Sequence, residues 1–77
     1  MLTPRRLPLN WAGTQYNLGL ALAALAKRQR STARMEEALK VMRGAVEIFQ
    51  RNEGSSWLPA ARSRVTQMEA ELVELQQ

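Results

Sequence analysis

The chain has 77 residues, of which 45% are hydrophobic, and its 11 basic and 7 acidic side chains give a net charge of +4. This length permits one domain, and the composition is too apolar for an intrinsically disordered tail. Because the sequence contains neither cysteine nor histidine, disulfides, thiolate–metal sites and histidine-based catalysis are excluded, and we expect neither a metal nor a cofactor.

The first predicted helix spans about residues 10–26. Asn10 is its candidate N-cap, because the side-chain oxygen can accept a hydrogen bond from a first-turn amide, and Pro8 lies just upstream. At about 100° per residue, one arc collects large apolar residues and predicts the core face. That arc consists of Trp11, Leu18, Ala21, Leu22 and Leu25. A weaker second face lies roughly opposite and consists of Tyr16, Leu20, Ala23 and Ala24.

A secretory signal is the alternative interpretation of this region. Arg5 and Arg6 precede an apolar run over residues 18–26 that ends in Ala-Leu-Ala, similar to a cleavage site. Polar residues interrupt the interval, whereas a signal would be contiguous. The run is also shorter than the ~20 residues of a membrane span. We therefore expect a cytoplasmic protein without membrane association.

The second predicted helix spans about residues 32–52. Ser31 or Thr32 can cap it, Glu36 and Glu37 favour its N-terminal end, and Gly54 can form the left-handed turn that ends it. Two adjacent apolar stripes cover about half of its circumference, more than one neighbouring helix requires. The first stripe is Met35, Leu39, Met42, Val46 and Phe49, and the second is Ala38, Val41, Ala45 and Ile48. This pattern predicts a helix packed between two others.

The third predicted helix spans about residues 56–75, with Ser56 as a candidate cap and Pro59 in its first turn. It has one narrow apolar stripe, formed by Leu58, Ala61, Val65, Met68, Leu72 and Leu75. A helix with one such stripe packs on one side and faces water elsewhere, so it is expected to cap the fold. Short links over residues 27–31 and 53–55 make antiparallel neighbours. We predict a single all-α domain over residues 1–77, with three antiparallel helices and the second in the centre.

The first helix carries the most specific motif. Residues 16–21 are Tyr-Asn-Leu-Gly-Leu-Ala, which resembles the first helix of a tetratricopeptide (TPR) repeat, where a large aromatic residue precedes Asn-Leu-Gly. Ala38, Met42 and Ala45 are similar to the small, large and small positions of the second helix of that repeat. Small residues let two helix backbones approach closely, and a large one fills the space between them. The resemblance implies a TPR-like helix pair followed by a capping helix.

The resemblance extends to a longer-period bacterial variant of the repeat. Residues 8–19, Pro-Leu-Asn-Trp-Ala-Gly-Thr-Gln-Tyr-Asn-Leu-Gly, are similar to its Pro-Leu-x-Trp-Ala-x-Thr-Gln-x-Asn-Leu-Gly signature, and residues 32–38 to the opening of its second helix. About seven residues beyond the usual 34-residue repeat lie near residues 27–33, and Gln50 stands where a repeat normally ends in proline. The third helix echoes only the apolar pattern of the first. A generic three-helix bundle is the alternative.

In TPR repeats the first helix lines a concave groove that holds a peptide or a partner helix. The resemblance places on that face Gly13, Tyr16, Leu20, Ala23, Ala24 and Lys27. One interpretation is a recognition face anchored by Tyr16; the other is that these residues pack on a second copy or on an N-terminal segment. The family's carboxylate clamp requires a lysine where Tyr16 stands, so that activity is not carried over.

A basic cluster follows the first helix: Lys27, Arg28, Arg30 and Arg34. It is a candidate patch for an anion, an acidic partner or nucleic acid. No aromatic residue is interleaved for base stacking, and Glu36 and Glu37 follow closely. The alternative is that these cations offset a helix dipole. Trp11 is predicted to be a core anchor, and Trp57 either a packing staple or an exposed contact.

Ser, Thr and Glu occur without a suitable base, and no acidic cluster has the spacing of metal ligands, so we predict a protein that is not an enzyme. The leading functional prediction is a protein-protein interaction or self-assembly module, homo-oligomeric through the open face of the first helix. A nucleic-acid-associated protein using the basic N-terminal third is the alternative. A third possibility is a repeat fragment whose only property is to fold.

Overall fold

A computed structural model describes residues 8–52 and 56–77, with side chains described from residue 11 onward. It contains three α-helices in this part of the chain: α1 (Pro8–Gln29), α2 (Thr32–Arg51) and α3 (Leu58–Gln76). Helix α2 packs extensively against both neighbours, whereas α1 and α3 touch only locally. The all-α fold and the central position of α2 are therefore confirmed.

Helix α1 is longer than predicted at both ends. It begins at Pro8, so Asn10 lies inside the helix and the prediction that it is the N-cap is wrong. At the other end the Ser31 amide donates to the Ala26 carbonyl at 3.0 Å, and the Arg30 amide donates to Lys27 at 3.4 Å. Together these bonds form a Schellman motif, in which Arg30 occupies the left-handed position with a φ of 52°. The sequence has no glycine there to mark this end.

Arg30→Gly is expected to stabilise the protein by about 0.5–1 kcal/mol. The left-handed conformation costs a residue with a Cβ roughly 1–2 kcal/mol, and the higher entropy of unfolded glycine cancels part of the gain. The measurement is urea denaturation followed by far-UV circular dichroism. Arg28→Gly, in the last turn of α1, is the control and should destabilise the protein; equal effects of the two changes would contradict the assignment.

Helix α2 is capped as predicted at its start. The Ser31 side-chain oxygen accepts a hydrogen bond from the Arg34 amide at 3.1 Å. Glu36 and Glu37 lie beyond the first turn, which contains no acidic residue, so the prediction that they support the N-terminus is wrong. At the other end the Asn52 side-chain amide donates to the Ile48 carbonyl at 2.7 Å. The predicted turn residue Gly54 lies outside the described residues.

Helix α3 begins two residues later than predicted. Its N-cap is Trp57, which makes no side-chain capping bond, and the Ala61 amide donates to the Trp57 carbonyl at 2.9 Å. Ser56 is therefore not the cap. Pro59 lies at the second helical position, where its missing amide hydrogen is not needed. The predicted apolar stripe is confirmed, with Ala61 and Met68 buried and the remaining members partly buried.

The core face of α1 differs from the prediction. Leu18 and Leu25 are 44% and 37% exposed, although both were assigned to the core. The buried face instead consists of Ala12, Tyr16, Gly19, Ala23 and Ala26. The physical reason is size: α2 supplies the large buried side chains, Met35, Met42 and Phe49. Helix α1 therefore contributes mainly small residues, and its large leucines are displaced to one side.

Helices α1 and α2 approach closely at Gly19. A Cβ built there would lie 3.1 Å from the Met42 Cε and 3.5 Å from the Ala38 carbonyl oxygen. The Ala38 distance is an ordinary contact, but Met42 would have to shift to admit even a Cβ, and a larger side chain has less room still. Close approach, rather than a turn, therefore favours glycine here, as the sequence predicted.

Candidate functional site

A groove of about 250 Å³ runs between α1 and α3. Four of the six residues predicted for the recognition face line it, and four residues of α3 form the opposite wall. The lining residues are Leu20, Ala23, Ala24, Lys27, Arg64, Gln67, Met68 and Glu71. The groove is therefore built from both helices, although the sequence prediction named residues from α1 alone.

The floor of this groove is apolar and one end carries a charge pair. Ala23 and Met68 are buried beneath it, and Leu20 is partly buried. The Lys27 Nζ lies 2.9 Å from the Glu71 Oε2 and joins α1 to α3. On the α3 wall the Arg64 guanidinium donates to the Gln67 side-chain oxygen at 3.4 Å. An apolar floor with polar groups along one wall suits a peptide that inserts one side chain and hydrogen-bonds through its backbone.

Tyr16, the predicted anchor of the recognition face, is not available to a ligand. It is only 8% exposed, and the Trp57 ring meets it edge-on at 5.4 Å and 74°. The prediction that Tyr16 lies on an open surface is therefore wrong, because the start of α3 covers it. Gly13 lies farther along α1 and does not line the groove; a Cβ there would have no neighbour within 4 Å.

Trp57 joins all three helices through aromatic contacts. Besides Tyr16 of α1, it stacks on Phe49 of α2, with ring centroids 6.1 Å apart and an interplanar angle of 10°. Its side chain is nevertheless 47% exposed. Both of the roles predicted for Trp57 therefore apply in part: it packs against the other two helices, and about half of it is exposed.

Trp57→Ala is expected to lower the free energy of unfolding by about 2 kcal/mol. Fully buried tryptophans cost roughly 3–5 kcal/mol on truncation, and Trp57 loses about half of that burial together with two aromatic contacts. The measurement is urea denaturation followed by circular dichroism. Trp57→Phe keeps a ring against Tyr16 and should recover at least half of the loss; an alanine variant as stable as wild type would contradict the role assigned to this residue.

The predicted basic cluster is divided between two helix ends. Lys27 and Arg28 lie in the last turn of α1, where cations favourably offset the dipole. Arg34 lies near the start of α2, where a cation has the opposite effect. Lys27, Arg28 and Arg30 are exposed, and of these Lys27 is paired with Glu71. The dipole interpretation thus fits half of the cluster, and the anion-binding interpretation stays a prediction.

The sequence prediction missed the wall of the groove contributed by α3. The sequence predicts that this helix faces water outside its apolar stripe, whereas Arg64, Gln67 and Glu71 line the groove. The sequence contained one signal that the third helix resembles the first: a shift of 47 residues aligns their apolar residues, including Leu58 with Trp11 and Val65 with Leu18.

A second groove, of about 430 Å³, lies between α2 and α3, and the sequence did not predict it. Val46 and Val65 contribute its apolar lining.

Metal clusters, membrane spans and similar proteins were the remaining possible indications of function. Within residues 8–52 and 56–77 no group of three or more His, Cys, Asp or Glu side chains is arranged to hold a metal ion. Helices in the same part of the chain are too short or too polar to cross a membrane. Comparisons with protein-family models, curated proteins and solved structures find no match to this chain.

Proposed function

We propose that the chain is a non-catalytic protein-protein interaction module, related to TPR repeats, that binds a peptide or helix of another protein in the groove between α1 and α3. The observation that carries the proposal is the composition of this groove. Its floor is apolar, and Lys27, Arg64, Gln67 and Glu71 surround that floor with charged and amide groups. Relationship to TPR repeats is supported by the close approach at Gly19, which the motif implies.

The groove favours a ligand that inserts a small apolar side chain. Leu20, Ala23 and Met68 offer apolar contact, while the volume of about 250 Å³ is below the roughly 300–1,000 Å³ of typical small-molecule pockets. Gln67 and Arg64 can hydrogen-bond to a peptide backbone along the wall. Lys27 and Glu71 neutralise each other, so the ligand needs no net charge at that end.

A displayed peptide library tests the proposal. Peptides are selected on the immobilised chain, and their affinities are measured by fluorescence polarisation. Ala24→Glu places a charge at the exposed edge of the groove and should weaken binding at least tenfold. The matched control is Ala70→Glu, which changes an exposed alanine of α3 that does not line the groove. Failure to select any peptide, or equal binding to both variants, would overturn the proposal.

We further propose that the protein is bacterial and cytoplasmic, and that it self-associates. The bacterial setting rests on the Pro-Leu-x-Trp-Ala signature, and the cytoplasmic one on the interrupted N-terminal apolar run. Because Tyr16 and Ala23 are buried, the predicted face of α1 offers less surface to a second copy than the sequence implied. Self-association is therefore proposed to use another surface.

A further inference from the structure

Helix α1 has a second apolar face that the described chain covers only in part, since Leu22 packs against the core. Its members are Trp11, Leu18, Leu22 and Leu25, here called the leucine seam. Leu18 and Leu25 are among the most exposed large apolar side chains described, at 44% and 37%, and Trp11 and Leu22 are partly buried. On a helical wheel the seam lies about 110° to one side of the buried stripe, whereas the groove residues Leu20 and Ala24 lie about 100° to the other. The seam and the groove are thus separate surfaces.

The spacing of the seam is that of paired helices. Trp11, Leu18 and Leu25 follow one another at intervals of seven residues, and Leu22 lies four residues after Leu18. Apolar residues at alternating intervals of four and three keep facing a partner helix that crosses at a small angle. Leu18 and Leu22 lie near the middle of the seam. Leucine side chains of the two copies therefore still face each other when the second helix runs in the opposite direction.

The charges of α1 bear on the direction in which a second copy would pair. Helix α1 contains no acidic residue, and its cations, Lys27 and Arg28, both lie in its last turn. A parallel copy would place Arg28 beside Arg28, an unfavourable contact between like charges. An antiparallel copy crossing near Leu18 and Leu22 separates the two Arg28 side chains by roughly 25–30 Å, more than twice the Debye length. The flanks of the seam, Thr14, Gln15 and Ala21, are uncharged, so a second copy meets no like charge along them.

We infer that the leucine seam pairs α1 with α1 of a second copy, in an antiparallel, two-fold dimer. The inference rests on the proposal that the chain self-associates, and it names the surface. A contact between two single helices buries less than the roughly 1,200–2,000 Å² of a standard interface. The dimer is therefore reversible, and its population depends on concentration.

Analytical ultracentrifugation tests the dimer from about 1 µM to about 1 mM, a range that spans weak association. Wild type is expected to change from monomer to dimer within it. Leu18→Glu should remain monomeric and keep its helicity, because Leu18 is 44% exposed and does not belong to the buried core. The control is Val73→Glu, at an exposed valine of α3, which should dimerise as wild type does.

Cysteine cross-linking tests the direction of pairing, since the chain has no cysteine of its own. Leu18→Cys, near the crossing point, is expected to form disulfide-linked dimers on mild oxidation. Leu25→Cys places the two sulfurs roughly 15–20 Å apart along antiparallel helices, beyond the reach of a disulfide, and should not. Efficient cross-linking through Leu25→Cys would overturn the antiparallel arrangement.

The possible outcomes distinguish failure of the leucine seam from failure of the two proposed functions, self-association and peptide binding. Dimers that persist in Leu18→Glu would overturn the seam while self-association stands. A wild-type chain that is monomeric throughout the concentration range would overturn both. Peptide binding in the groove is measured independently, and a monomer that binds selected peptides would retain the interaction function without the dimer.

Discussion

Phe49→Ala is expected to leave the protein largely unfolded at room temperature. Phe49 is fully buried, stacks on Trp57 and is one of the three largest fully buried side chains described. Truncating a buried phenylalanine costs roughly 3–5 kcal/mol, whereas a domain of this size rarely has more than about 3–5 kcal/mol of net stability. The loss therefore equals the whole stability of the fold. Far-UV circular dichroism would show most of the helical signal gone.

Phe49→Leu provides the comparison, because it keeps most of the volume and loses mainly the stacking on Trp57. This variant should stay folded, with its free energy of unfolding lowered by about 1–2 kcal/mol. A helical Phe49→Ala protein with a cooperative urea transition close to that of wild type would show that Phe49 is not central to the core.

Gly19→Leu is expected to destabilise the protein by about 3 kcal/mol. The first atom of any side chain would already lie 3.1 Å from Met42 and 3.5 Å from the Ala38 carbonyl. Met42 can move, because its Cε is the end of a flexible side chain, but the backbone of α2 cannot. A leucine would force the helices apart, and overpacking of this kind costs roughly 1–3 kcal/mol or more. Urea denaturation measures the loss.

Gly44→Leu is the matched control for this change. Gly44 lies in the middle of α2, and a Cβ there would meet nothing within 4 Å. Replacing a helical glycine with leucine gains up to about 1 kcal/mol of helix propensity, so this variant should be as stable as wild type or more so. Equal loss at both glycines would contradict the close approach between α1 and α2 at Gly19.

The three helices and the central position of α2 were predictable because α2 carries two apolar stripes and α3 only one. Helix ends were harder to predict. Arg30 ends α1 in a left-handed conformation that the sequence does not mark with glycine, and Trp57 begins α3 through ring packing rather than through a capping side chain. Both ends depend on hydrogen bonds or contacts that a residue-by-residue pattern does not contain.

The candidate site was predictable in part, for a reason that concerns side-chain size. A helical wheel assigns the core to the face with the largest apolar residues. In α1 this placed Leu18 and Leu25 in the predicted core. Burial in α1 follows close backbone approach at Gly19 instead. Leu20, Ala24 and Lys27 line a groove that α1 shares with α3, and Tyr16 is covered. That covering depends on where Trp57 lies, which the sequence of α1 alone does not determine.

The buried residues of α1 are mostly small and those of α2 include large ones, and this difference also affects how each helix tolerates sequence change. Alanine and glycine lose no rotamer freedom on burial, whereas methionine loses up to about 1.5–2 kcal/mol; the ordering cost of this interface therefore falls mainly on Met35 and Met42 of α2. Methionine is unbranched and adapts its shape to its neighbours. Variation among related chains should therefore be permitted at these α2 positions, whereas Ala12, Gly19 and Ala26 of α1 should accept almost no enlargement.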